Sequence, residues 1–358
     1  MQRTDTPETI EKMLCANTQK EINNIKEKAQ KIMKQTVGTN VYFRGIIEFS
    51  NLCEKDCFYC GIRKSNRNVK RYTLTEEQIL QCAEWAFKNK YGSIVLQSGE
   101  RTSKGFLDFV IKTITQIKKL TRKGNFPGLG ITLSIGEQTK KAYQELFDAG
   151  AHRYLLRIET SNPKLYAKLH PKGHSYRKRV QCLKALKEIG YQVGTGVMIG
   201  LAGQTIKDLA NDILFFKSID ADMIGMGPYI IHSNTPMKYY SAEWNLRKKE
   251  ILQLSLNMIA ATRIVLRDVN IASTTAFQAL HPLGREMALE YGANIIMPII
   301  TPKEFRSEYL LYDGKPCIDE DAEQCKNCLT ARITSIGRTI GWDSYGDSPH
   351  ALKKIKAR

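Results

Sequence analysis

The sequence predicts an α/β fold, a TIM-type (β/α)8 barrel with an N-terminal helical cap and a C-terminal cysteine-containing tail, and three observations carry that expectation. Eight short apolar or β-branched runs alternate with longer stretches of helical period, the signature of repeated βα units and a parallel sheet. Eight is a barrel's count, whereas a doubly wound sheet has about six strands and a switch point. No Gly-, Pro- or Ser-rich linker divides the alternation, so one barrel domain is expected over residues 41–300, after a cap at 1–40 and before a tail at 301–358.

The cap reads as amphipathic helix, as in Ile22–Ile32. The expected strands are Tyr42–Ser50, Ser93–Ser98, Gly130–Ile135, Arg153–Glu159, Gln192–Ile199, Met223–Tyr229, Val269–Thr275 and Asn294–Pro298. Between them, apolar spacings of three and four predict helices over Thr75–Lys90, Phe106–Leu120, Lys140–Ala149, Tyr176–Ile189, Thr205–Ser218 and Glu243–Leu266. Beyond residue 300 the alternation stops, and the tail carries a second cysteine group, Cys317, Cys325 and Cys328.

Composition narrows the class. A hydrophobic share of 42% is ordinary for a chain that buries a core. No apolar run reaches the length of a membrane span, and the N-terminus lacks the apolar stretch of a secretion signal, so a cytoplasmic protein is expected. The 54 Lys and Arg against 36 Asp and Glu give a net charge of +18. These cations are scattered over helix faces with no nucleic-acid motif beside them, which favours a solvated basic surface over a nucleic-acid groove. Nine cysteines, six in two short clusters, argue for metal binding rather than disulfides. Cys15, Cys82 and Cys182 stand among apolar helical residues and read as packing positions.

The chemistry should sit at the C-terminal ends of the strands, where the βα loops of a barrel converge. After the first strand comes Cys53-Glu-Lys-Asp-Cys57-Phe-Tyr-Cys60. Three thiolates at this spacing suit a 4Fe-4S cluster with one iron left open to a small molecule. Structural zinc is the alternative, but it needs a fourth ligand, and the second cysteine group lies more than 250 residues away. The later strand ends carry Ser98-Gly99-Glu100, Ser134-Ile-Gly-Glu137, Arg157-Ile-Glu159, Thr274-Thr275 and Met297-Pro298. Charge inside a strand-like run is costly unless paired or bound, and Arg157 and Glu159, two apart, share a face. Met198 and Met226 read as barrel packing.

The cysteine triple, with Tyr59 before its last member, resembles the radical S-adenosylmethionine superfamily. Within it the chain is similar, from about Tyr42 to Trp342, to the HydE-type maturases of iron-iron hydrogenase. The stretches that carry the likeness are Arg44–Cys53, Ile94–Glu100, Arg153–Thr160, Gly200–Thr205, Thr274–Ala276 and Asn294–Pro298. The resemblance implies a 4Fe-4S cluster on Cys53, Cys57 and Cys60, and S-adenosyl-L-methionine on the open iron, cleaved to a 5′-deoxyadenosyl radical. It implies cofactor contacts from Tyr59, Ser98, Gly99, Glu100, Glu159, Arg179 and Tyr309, with Arg157, Thr275 and Met297 around the substrate. That substrate would be a small organometallic one, an iron-carbonyl-cyanide-cysteine precursor. The implied partners are HydG-type and HydF-type maturases and an electron donor such as ferredoxin or flavodoxin.

Cys317, Cys325 and Cys328 resemble the accessory cluster site of many family members, which implies a second iron-sulfur cluster. The family commonly has His where this chain has Ile158 and Pro where it has Ala202, and the loop Thr121–Leu129 is longer than usual. Two other readings compete. One is a related radical enzyme of the biotin synthase and methylornithine synthase branch; a biotin synthase would place further cysteines on inner strands, and none is found there. The other is a non-catalytic basic iron-sulfur protein that binds RNA with strong salt dependence.

Overall fold

In the computed structural model, which describes residues 5–356, eight parallel strands close into a barrel. They are β1 (Asn40–Ser50), β2 (Ser93–Ser98), β3 (Gly130–Ser134), β4 (Arg153–Leu155), β5 (Gln192–Thr195), β6 (Met223–Ile224), β7 (Asn270–Ile271) and β8 (Ile295–Ile296). Each pairs with the next, β8 pairs with β1 through Tyr42↔Ile295, and an Ala272↔Ile295 bridge joins β7 to β8. From Phe43 to Ser50 every residue of β1 is buried, as a strand covered on both faces must be. Helices enclose the barrel, and their ends are written in the sequence. Thr75, Thr205 and Asp321 each close a capping box with Gln78, Asp208 and Gln324, and Gly190 ends its helix at φ 110°. Each such N-cap is worth about 1 kcal/mol.

Several strands are shorter than the pattern predicts. The run expected as Gln192–Ile199 breaks after Thr195; Met198–Ile199 pairs separately with Gly227–Pro228. The break lies where two glycine backbones touch, since a Cβ on Gly196 would stand 2.0 Å from the Gly225 carbonyl oxygen. The fourth run ends at Leu155, and Glu159 at φ 65° turns the chain away from strand geometry. Thr275 opens a short helix, Thr275–Leu280, rather than closing a strand. The loop 121–129 forms a two-residue hairpin, Arg122–Lys123 on Phe126–Pro127. Cys82 and Cys182 are buried as expected, whereas Cys15 is exposed, because it caps a helix whose apolar face is Ile10, Met13 and Leu14.

Irregular chain covers both barrel ends. At the N-terminal end, residues 343–348 lie under the strands: Arg44 donates to the Gly346 carbonyl at 3.0 Å, and Arg153 pairs with Asp347. At the C-terminal end, residues 308–313 form a strap. The Asn51 amide donates to the Glu308 carbonyl at 2.7 Å, the Gly61 N–H to the Leu311 carbonyl at 3.0 Å, and the Asp313 N–H to the Ile231 carbonyl at 3.1 Å. No helix among the described residues is long and apolar enough to cross a membrane.

Candidate active site

The cysteine loop follows β1 and runs against the end of β2. Glycine is needed there: a Cβ on Gly99 would lie 2.3 Å from the Leu52 carbonyl oxygen and 2.7 Å from the Cys53 Cβ. This close approach lets the Glu100 N–H donate to the Cys53 sulfur at 3.3 Å. Burial raises all three thiols, Cys57 to about 12, and each of Cys57 and Cys60 is raised further by the neighbouring cysteines. Thiolates so crowded and desolvated are stable only against positive charge, which iron supplies.

The geometry also bears on what kind of metal group fits. Among the described residues, the triads of ligand atoms that approach within 4.8 Å of one another are Cys57, His170, His174 and Cys317, Glu320, Cys325; the loop's three sulfurs do not form one. Two sulfurs on one zinc ion lie no more than about 4.6 Å apart, given bonds near 2.3 Å. A cluster, with a separate iron for each sulfur, suits the wider triple.

Across the mouth, the helix Tyr176–Ile189 brings Arg179 to the ends of β2 and β3. Its Nε lies 2.8 Å from Glu137 and an Nη 3.7 Å from Glu100, while Lys55 reaches both carboxylates at 3.1 and 3.2 Å. Burial opposes the Arg179 charge, but Glu137 and Glu100 hold its pKa above the ordinary value. The Glu100 carboxyl stays raised by its own burial, whereas Arg179 and Lys55 outweigh burial at Glu137 and lower it. Gly136 makes room for Glu100, since a Cβ there would lie 2.3 Å from the Glu100 Cγ.

Arg157 and Glu159 pair with each other at 2.9 Å, the alternative to the ligand contacts the sequence suggests; Arg157 also donates to the Val197 carbonyl at 3.0 Å. Burial raises the Glu159 carboxyl despite Arg157 and Arg179. The Arg157 Nε is buried with no hydrogen-bond partner among the described residues, as are the Arg44 Nε and Arg153 Nη2 at the other end, but Arg157 alone of the three has a side chain 32% exposed to the mouth. The Ile158 side chain is fully buried in the main apolar core.

Tyr59 packs edge-on to His170, its hydroxyl 3.3 Å from Nε2. His170 is held low, to about 3, mainly by burial, and its Nδ1 faces the Tyr166 carbonyl at 2.8 Å. Nδ1 therefore carries the proton, and Nε2 accepts from Tyr59. The strap delivers two tyrosines: Tyr309, buried, and Tyr312, whose hydroxyl lies 2.6 Å from the Thr275 hydroxyl. Met297 packs with Ile46, Val95 and Ile299, a small apolar cluster apart from the main core.

Sequence reasoning passed over one buried pair here. Glu48 shares a strand face with Ile46, and Lys315 meets both of its carboxylate oxygens at 2.6 and 2.7 Å while donating to the Tyr309 carbonyl at 2.9 Å. The signal was present, because Glu48 is a charge inside a strand-like run, like Arg157. His170 and His174 left no such signal. Of the tail cysteines, Cys317 and Cys325 come together with Glu320, whereas Cys328 is exposed and outside the group. The Cys317 thiol is pulled down by a hydrogen bond with Cys325 and by Arg285, whose Nη2 lies 3.6 Å away.

Residues 47–216 match the model of the Radical SAM superfamily. The chain is 43% identical over 341 residues to the [FeFe] hydrogenase maturase subunit HydE of Thermotoga maritima, covering 95% of this chain and 93% of that protein. It belongs to the HydE family. A 3-methylornithine synthase of Methanosarcina acetivorans is 25% identical over 313 residues, covering 87% of this chain and 83% of the other. The fold is that of the methylornithine synthase PylB (TM-score 0.80, 21% identity, 99% and 96% of the two chains) and of HydG (TM-score 0.76, 19% identity, 95% and 73%). HydE proteins use a 4Fe-4S cluster and S-adenosylmethionine, and the loop thiols and the unpartnered donor at the mouth fit both.

Proposed function

We propose that this protein is a HydE-type enzyme acting in assembly of the iron-iron hydrogenase active site, on a sulfur-bearing iron-carbonyl-cyanide-cysteine precursor. The observation that carries the reading is the 43% identity to a HydE over 95% of the chain. When bound, the cluster and S-adenosylmethionine supply a primary carbon radical. The chain's own residues do the rest. Cys53, Cys57 and Cys60 hold the cluster, and the Glu100 N–H on the Cys53 sulfur tunes it. Glu100, Glu159 and Arg179 would meet the cofactor's charged end, Ser98 and Gly99 would contact it beside the cysteine loop, and Tyr59 and Tyr309 would flank it.

Arg157 presents a planar fork to the substrate's carboxylate. Thr275, steadied by Tyr312, and Met297 complete the cavity wall. The barrel and its strap exclude water, so that a radical formed there meets substrate first. HydG-type and HydF-type maturases would deliver and receive the organometallic group in the cytoplasm, and Cys317, Cys325 and Cys328 would hold a second iron-sulfur cluster. The test is hydrogenase maturation in vitro with the protein omitted, added, or added as Cys57→Ala. Activity only with the unaltered protein is expected; equal activity in all three would overturn the proposal.

A further inference from the structure

The cysteine loop has an outer face as well as an inner one. An open cleft of about 430 Å³ lies against that outer face, lined by Arg63, Asn66, Arg67, Asn234, Pro236 and Lys238 among others, with no carboxylate in its lining. It is built onto the loop itself. The Met237 N–H donates to the Phe58 carbonyl at 3.2 Å, Arg63 stacks over the Phe58 ring at 5.7 Å, and the Asn66 amide donates to the Gly61 carbonyl at 2.6 Å. Asp56 neutralises Arg63. Arg67 and Lys238 are exposed and have no ion-pair partner among the described residues, and Lys64 and Lys70 stand exposed beside them. Of five exposed large apolar side chains among the described residues, Tyr239 and Leu246 belong to the segment that follows Lys238, and Tyr239 is 75% exposed.

We propose that this cleft is the docking surface for an acidic one-electron-carrier protein that reduces the cluster. The inference rests on the radical-enzyme reading above, which requires an electron from outside. Unpaired cations steer an acidic partner and set its orientation. Tyr239, exposed and next in the chain to the lining residue Lys238, supplies the aromatic anchor common at protein contacts. Phe58, between Cys57 and Tyr59, ties the thiol-bearing loop to the cleft through Met237 and Arg63, so a carrier seated there rests against the loop that would hold the cluster. One electron passes from the carrier's reduced centre to the oxidised cluster; no bond forms or breaks, and the carrier leaves one electron poorer. A nucleic acid would need a track of stacking aromatics, and Tyr239 stands alone.

The test uses flavodoxin, an acidic carrier, and an Arg67→Glu, Lys238→Glu double variant, with Lys119→Glu on the remote outer helix as control. Binding of flavodoxin to the protein without its cluster is measured at low and high salt. Reduction of the reconstituted cluster is followed by absorbance, driven either by flavodoxin hydroquinone or by reduced methyl viologen, a small cation. The double variant should bind flavodoxin and accept its electron about tenfold or more slowly at low salt, within the usual range for lost steering. Reduced methyl viologen should reduce it unslowed, and Lys119→Glu should match the unaltered protein. Unchanged flavodoxin binding, equal slowing with methyl viologen, or loss of RNA oligonucleotide binding in place of flavodoxin binding would each overturn the inference. Failure of the radical-enzyme reading shows separately, as an unaltered protein that reduces its cluster but supports no hydrogenase maturation.

Discussion

The two ends of the barrel carry similar residues and do different things with them. At the N-terminal end Arg44 and Arg153, both buried in strands, are spent on the chain: Arg153 on Thr132, Tyr345 and Asp347, Arg44 on Gly346 and Met223. At the C-terminal end Arg157 holds one carbonyl and one carboxylate with its side chain 32% exposed to the mouth, against 1% for Arg153, and the thiols of the neighbouring loop stay raised by burial despite Arg179. An arginine in a strand-like run therefore says little by itself. Which end of the strand it occupies says whether its charge is structural or kept for a ligand.

The largest effect should break this contrast at the reactive end. Cys57→Ala should abolish cluster assembly and 5′-deoxyadenosine formation, read by iron content and product analysis, while moving the stability of the metal-free protein by no more than about 1 kcal/mol. Next, Arg153→Ala should cost about 3–5 kcal/mol of folding stability by stranding Asp347 in a largely buried site, seen as a lower denaturant midpoint. At temperatures where the variant stays folded, cofactor binding should be retained.

The same end should respond to acid. Burial, then Arg153, lowers His152 to about 4. Its folded pKa lies below the unfolded value near 6.5, so its stabilising contribution is complete above about pH 6.5 and is lost as pH falls through about 4. Between those limits stability should fall by up to about 1.4 kcal/mol per pH unit, and His152→Phe, which keeps a ring on Tyr345, should flatten that slope. The smallest effect concerns the tail. The variant Cys317→Ala, Cys325→Ala, Cys328→Ala should change 5′-deoxyadenosine formation by no more than about twofold, the scale of a change away from the chemistry; complete loss would make the tail part of the reactive end.

Periodic elements were legible in the sequence because burial imposes a period. All eight strands and five of the six long helices are present where expected, the sixth, Glu243–Leu266, being split at Arg247 into Ser241–Leu246 and Lys248–Leu266, and the cysteine triple and the Arg157–Glu159 pair stand at the ends of their expected strands. Irregular chain has no period to read. The strap 308–313 and the segment 343–348 are held by backbone carbonyls and single side chains far apart in sequence, so the closure of the lower end could not be foreseen, nor, although Glu48 itself was legible as a charge in a strand, could its partner Lys315. Strand lengths were overread for the same reason: apolar runs continue through Gly196 and Gly225, but the backbone contact that ends the ladder there is a tertiary fact.

The contrast between the ends is tested most directly by reconstituting the protein anaerobically with iron and sulfide, adding S-adenosylmethionine and reductant, and measuring 5′-deoxyadenosine. The unaltered protein and a folded Arg153→Ala variant should both produce it, and Cys57→Ala should not. No product from the unaltered protein, or equal product from Cys57→Ala, would contradict the placing of the chemistry at the C-terminal end.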